Sequence, residues 1–432
     1  KMRTFYFVFF LVLPVQVFAY LDPGTGSLLL YALVGIIASF IFMLRNLLYR
    51  IRELFFTRNS INSGQSTSMD IVFHSEGRRY WPVFEPILHA LDSMKICAIY
   101  VTPDTQDPAI EWARSHQYIN VVNPGNEYMT IAWMNRLRAR VVVSTTPNLD
   151  VYMWKRSPGV ERYIHIFHAP TTVEFYEKYA LSFYDEILTV GSFQEKGIIE
   201  LDERRNLPQK EFNIVGLTYY DYMLREIDRM KNRERPKRVT TGRASILYAP
   251  SWGNRSSFVL FGCVLIRRLL DEGYRVILRP HPQSFISDAH IVSEITRLFS
   301  SRSNFSIDRN LTGIEAMAES DFMITDFSGV LFDYAYLFGK PIILAVPPEP
   351  VVGGYEAEDI DGSLWDVVSA QRLSRPLPEN LEELPALIDD ILQNLENVSE
   401  EYKQFRDETV KNFGCAGQAV AEYLTKCTGE NR

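Results

Sequence analysis

A chain of 432 residues holds roughly two domains, and 47% hydrophobic against 23% charged residues give it real cores to bury. Glycine and proline, at about 5% each, exclude a collagen-like or low-complexity chain. The net charge of −8 argues against wholesale nucleic-acid binding, and four cysteines without C-x-x-C spacing suggest neither a zinc cluster nor a disulfide framework.

Residues 1–19 combine a basic start (Lys1, Arg3), an apolar run from Phe5 to Val17 and the triplet Val17-Phe18-Ala19. That is the anatomy of a signal peptide or of a first hydrophobic segment. After a turn-rich stretch, Leu28 to Leu44 carries no charge; as a helix it would be ~26 Å long, enough to cross a bilayer core. Arg45, Arg50, Arg52 and Arg58 follow, so residues 20–58 read as a transmembrane anchor with a basic flank. Cleavage after Ala19 and a retained two-helix hairpin remain open. Both routes leave the bulk of the chain on the cytoplasmic side of an inner-membrane-type bilayer.

Beyond a Ser/Asn/Thr-rich linker, short β-branched runs alternate with helical patterns. Strands are expected at 71–75, 96–102, 121–122, 141–145, 163–167, 186–190 and 212–215, with helices such as 83–91 and 128–137 between them. A basic stretch at 229–243 reads as an interdomain linker. Strands then resume at 245–249, 275–278, 304–307, 321–325 and 341–346, with helices at 258–271 and 330–338. The stretch 377–424 reads as mostly helical, with Leu377, Leu381, Leu384 and Leu387 at helical spacing. This alternation predicts an α/β chain with two doubly wound, Rossmann-like domains facing a cleft. They span 70–228 and 244–400, and a helical tail covers 401–432.

Four segments put polar groups just past a predicted strand. His165 falls within its strand and reads as structural, whereas His168 stands at the end, before Ala169 and Pro170. Histidine is the side chain best suited to take a hydroxyl proton near neutral pH. Ser251 and Trp252 follow Pro250 in the second segment. In the third, Pro280 and Pro282 brace Arg279 and His281, whose donors suit phosphate oxygens. The fourth, Thr325-Asp326-Phe327-Ser328-Gly329, opens a helix; free N–H groups and the helix dipole make such a turn an anion site, and Gly329 permits close approach. Plain N-capping by Asp326 or Ser328 is the competing explanation there.

In order and spacing these segments resemble the CDP-glycerol glycerophosphotransferases, enzymes that build teichoic-acid-like polymers. His168-Ala-Pro-Thr stands for H-G-T-P, Tyr248-Ala-Pro-Ser251-Trp252 for Y-A-P-T-W, and Arg279-Pro-His281-Pro for R-x-H-P. Thr325-Asp326-Phe327-Ser328-Gly329-Val-Leu-Phe332-Asp333-Tyr334 matches S/T-D-Y-S-S-x-x-F-D-Y, and Lys340-Pro341 follows. Ala169 and Gly329 depart from the family's glycine and second serine. The resemblance implies a GT-B arrangement and transfer of glycerol phosphate from CDP-glycerol to a hydroxyl of a lipid-linked or polymer acceptor. It makes His168 the candidate base and His281 the second catalytic group, with Ser251, Arg279, Thr325, Asp326, Ser328 and Gly329 holding the donor. No Asp-x-Asp spacing stands in these segments, so no protein-bound metal or other cofactor is expected, although a soluble Mg²⁺ on the donor is compatible with them. Two competing readings are a glycosyltransferase using a CMP- or UDP-sugar and a catalytically silent membrane-anchored binding protein. No nucleic-acid partner is expected.

Overall fold

A computed structural model describes residues 69–232, 243–310, 312–345 and 354–429. The predicted signal and anchor segments lie outside these residues, as do 233–242 of the predicted linker. Among the described residues no helix is long and apolar enough to cross a membrane.

The first lobe is built on seven parallel strands: β1 (Met69–His74), β2 (Ala98–Val101), β3 (Ile119–Val122), β4 (Arg138–Ser144), β5 (Gly159–Ile166), β6 (Glu186–Thr189) and β7 (Glu211–Ile214). Their order is β3-β2-β1-β4-β5-β6-β7. The Val141-Val142-Val143 run shows why β4 is central. Val142 enters one core while Val141 and Val143 enter the core on the opposite face, so both faces of the strand are dry. The second lobe repeats the plan with β8 (Ser245–Tyr248), β9 (Arg275–Leu278), β10 (Phe305–Ile307), β11 (Phe322–Thr325), β12 (Ile342–Leu344) and the two-residue β13 (Arg375–Pro376), in the order β10-β9-β8-β11-β12-β13. Each strand expected from sequence has a counterpart; β13 is too short to leave a signal.

Two expectations need correction. Arg229 to Lys231 are not linker, because helix α5 (Thr218–Lys231) runs through them. Leu377 and Leu381 precede the first tail helix (Leu384–Gln393), since Pro376 and Pro378 hold the chain extended beside β12.

The last helix (Ala416–Thr428) returns to the first lobe. Val420, Ala421 and Leu424 join the core containing Ile71 and Phe84. Its approach is close enough that a Cβ on Gly417 would lie 2.7 Å from the Pro86 carbonyl carbon, so only glycine fits.

Candidate active site

The sequence-selected residues lie at or just past strand C-terminal ends, where parallel sheets leave loops and helix N-termini free. His168 follows β5. Its Nδ1 is buried without a hydrogen-bond partner. The edge of the Tyr80 ring meets it at 5.4 Å, and Tyr176 lies parallel at 6.4 Å between centroids. Burial, assisted by the charge of Arg79, pushes His168 down to about 4. The ring is therefore neutral near pH 7 and able to accept a proton. His165 is fully buried, 5.1 Å from Tyr184, in the structural role its strand position predicts.

Ala169 and Thr171, just beyond His168, face the second lobe. A Cβ placed on Gly329 would lie 3.7 Å from both Ala169 Cβ and Thr171 Cγ2. The base candidate's loop and the turn opening helix α10 (Val330–Phe338) are thus neighbours across the lobes. That turn divides into scaffold and open groups. Thr325 Oγ1 donates to the Ala249 carbonyl at 2.7 Å and is buried. Asp326 accepts from Ser251 N–H at 2.6 Å, and from the N–H and hydroxyl of Ser257, both at 2.9 Å. The carboxylate fixes the Ser251 loop and the first residue of helix α6 (Ser257–Asp271), whose N-cap is Ser256, instead of facing an anion. Ser328 Oγ and Ser251 Oγ have no hydrogen-bond partner among the described residues and stand partly exposed. The amides of Gly329 and Val330 open α10, where no preceding turn can accept them.

His281 is the better-defined histidine. Its Nδ1 accepts the Gln283 N–H at 3.1 Å, so the neutral ring carries its proton on Nε2. Burial, then the charges of Arg79 and Arg279, push it down to about 4, fixing it as a neutral donor. Trp252 lies nearly parallel to it, 6.2 Å away.

Arg279 differs from the sequence expectation in its surroundings. Nη1 reaches Asp308 Oδ2 at 2.5 Å and the Asn310 carbonyl at 2.8 Å, and the side chain packs over Gly313. Its charge is already matched within the lobe. Sequence reasoning also missed the loop after β1, where Arg79 sits beside Tyr80 and makes its charge felt by His168 and His281 alike. A second omission is a pair of acids binding the lobes together. Asp366, on helix α11 (Trp365–Arg372), accepts Thr172 N–H at 3.0 Å, while Glu174 accepts the N–H groups of Trp365 at 2.7 Å and Asp366 at 3.1 Å. Among the described residues no group of three or more His, Cys, Asp or Glu side chains could hold a metal ion.

Two parallel-sheet lobes with facing loops give a GT-B-like architecture. The chain belongs to the CDP-glycerol:poly(glycerophosphate) glycerophosphotransferase family, whose signature matches residues 70–414. Among solved structures it is similar to the wall teichoic acid polymerase TagF, a histidine-to-asparagine variant soaked with CDPG. Identity is 16%, coverage is 89% of this chain and 97% of that one, and the TM-score is 0.51. It is also similar to the Methanocaldococcus jannaschii UDP-GlcNAc 2-epimerase in complex with UDP-GlcNAc and UDP (12% identity, 83% and 100% coverage, TM-score 0.53). A putative Listeria monocytogenes UDP-N-acetylglucosamine 2-epimerase is comparable, at 10% identity, 85% and 98% coverage and a TM-score of 0.53. At these identities the structural likeness speaks for the fold alone. None of the curated proteins matches the chain.

Proposed function

We propose that this transferase moves glycerol phosphate, or a similar polyol phosphate, from a CDP-linked donor to a hydroxyl of a lipid- or polymer-linked acceptor. The observation that carries the reading is a pair of neutral histidines past strand ends of the two lobes: His168, placed here as the proton acceptor, and His281, whose Nε2–H donates. In the reaction the acceptor oxygen forms a bond to the glycerol-bearing phosphorus. The bond from that phosphorus to the bridging oxygen breaks, and CMP leaves with the electron pair. The hydroxyl proton passes to His168, and His281 donates a hydrogen bond to an oxygen of the diphosphate. Ser251, Ser328 and the amides of Gly329 and Val330 offer further donors to the phosphates. Asp326 and Thr325 act behind them as braces. The reading requires no protein-bound metal; a Mg²⁺ carried by the donor would shield its charge without a dedicated protein site.

The hydrophobic N-terminal segments and their arginines support an inner-membrane anchor with the catalytic part on the cytoplasmic face, where a nucleotide donor is made and a lipid-linked acceptor can enter. The direct test is CMP release from CDP-glycerol, run beside CMP- and UDP-sugars, with wild type and His168→Ala. Release from CDP-glycerol that falls about 10²–10⁴-fold in kcat in the variant, with donor binding retained, is expected for a lost general base. Turnover of a nucleotide sugar instead, or a fully active variant, would overturn the reading.

A further inference from the structure

We propose that Arg79, on the loop after β1, is the cation that the first lobe presents to the donor's phosphates, binding them between His168 and His281. The inference rests on the functional reading above and adds a residue outside the motifs that led to it.

The loop is held rigidly enough to aim a side chain. Ser75 Oγ accepts the Gly77 N–H at 3.1 Å and donates back to the Gly77 carbonyl at 3.2 Å. Gly77 adopts φ 129°, and a Cβ there would lie 3.1 Å from Asp104 Cβ, so the turn is made for glycine. Arg78 then grips Asp104 with a two-pronged pair, Nε to Oδ2 at 2.6 Å and Nη2 to Oδ1 at 2.8 Å, and its own N–H adds a third bond at 3.2 Å. The paired arginine anchors the loop.

Arg79, the next residue, is exposed and has no carboxylate partner among the described residues. Its guanidinium carbon lies 5.8 Å from the centre of the Tyr80 ring, and that ring abuts His168. Its positive charge lowers the proton affinity of both His168 in one lobe and His281 in the other. An unmatched guanidinium suits an oxyanion, and in a site that takes a CDP-linked donor that oxyanion is the diphosphate. Glu76, on the same loop, adds a negative charge near Tyr80, so the anion approaches from the Arg79 side. Arg279 cannot fill the same role at full strength because Asp308 holds it.

The experiment compares wild type, Arg79→Ala and Arg79→Lys in two measurements. Titration with CDP-glycerol, CDP and cytidine reads binding. Arg79→Ala should weaken both phosphorylated ligands about tenfold or more, as expected for a lost charged partner, and leave cytidine unchanged. Steady-state CMP release reads turnover. There kcat/KM should fall, added methylguanidinium should restore part of it, and the acid limb should move to higher pH, because His168 loses a nearby positive charge that depresses its proton affinity. Arg79→Lys should retain part of both. Equal CDP affinity in wild type and Arg79→Ala would overturn the inference. Absence of CMP release by wild type would instead refute the donor reading, and the CDP titration would still decide whether Arg79 binds an anion.

Discussion

Asp366 offers a test that joins stability to the site. Its carboxylate receives the Thr172 N–H at 3.0 and 3.3 Å and the Thr172 hydroxyl at 3.3 Å, four residues beyond His168. Burial first, and then the neighbouring charge of Glu174, push Asp366 up to about 8. The folded protein therefore keeps a proton near pH 7 that the unfolded chain, with an ordinary carboxyl near 4, has released. A folded value raised above the unfolded one gives stability that is complete below about 4 and is lost as pH rises through 8. His74, His165, His168 and His281, all pushed down to about 3–4 by burial, act in the opposite direction. Their residual titration in the unfolded chain near pH 7 is the same in wild type and Asp366→Asn and cancels in the comparison. Between pH 7 and 8.5 a carboxyl titrating near 8 costs about 1 kcal/mol, or on the order of 2 °C in unfolding midpoint. Asp366→Asn retains an oxygen for Thr172 and removes the titration, so its stability should fall less over that interval. Asp333, raised to about 7, titrates in both proteins and cancels in the comparison. Asp366→Ala should instead leave the Thr172 donors unmet, at about 1–3 kcal/mol, and lower kcat more than it changes donor KM. Equal slopes from pH 7 to 8.5 in wild type and Asp366→Asn would refute the proton assignment.

Arg279→Ala should mainly destabilise the second lobe, by about 3 kcal/mol, because it strands Asp308 in a largely buried site; removing Asp308 as well should recover part of the loss in a denaturation series, whereas a pure rise in donor KM with unchanged stability would contradict this. An alkaline phosphatase fused after Arg432 should stay inactive in cells while a cytoplasmic reporter at the same place works, and an active phosphatase would reverse the expected topology.

What sequence could and could not reveal follows from the range of the forces involved. The strands were readable because runs such as Val141-Val142-Val143 and Val276-Ile277-Leu278 have no stable alternative to a buried parallel sheet. The loops bearing His168, His281 and Ser328 were readable because proline or glycine punctuates each one locally. Charge matching was not readable, since it depends on which strands become neighbours. Arg279 meets Asp308 only because β9 lies beside β10, and Thr172 meets an aspartate 194 residues further on. Arg78 and Arg79 form a plain basic pair in the sequence. Asp104, at the end of the adjacent strand's loop, claims the first and leaves the second unmatched. Likewise Val420, Ala421 and Leu424 mark an apolar helix face, yet only the contact of Gly417 with Pro86 says which lobe it covers. A motif can nominate a basic residue beside a phosphate site, but the tertiary pairing decides whether its charge is still available. By that criterion Arg79 is better placed than Arg279 to meet an incoming anion.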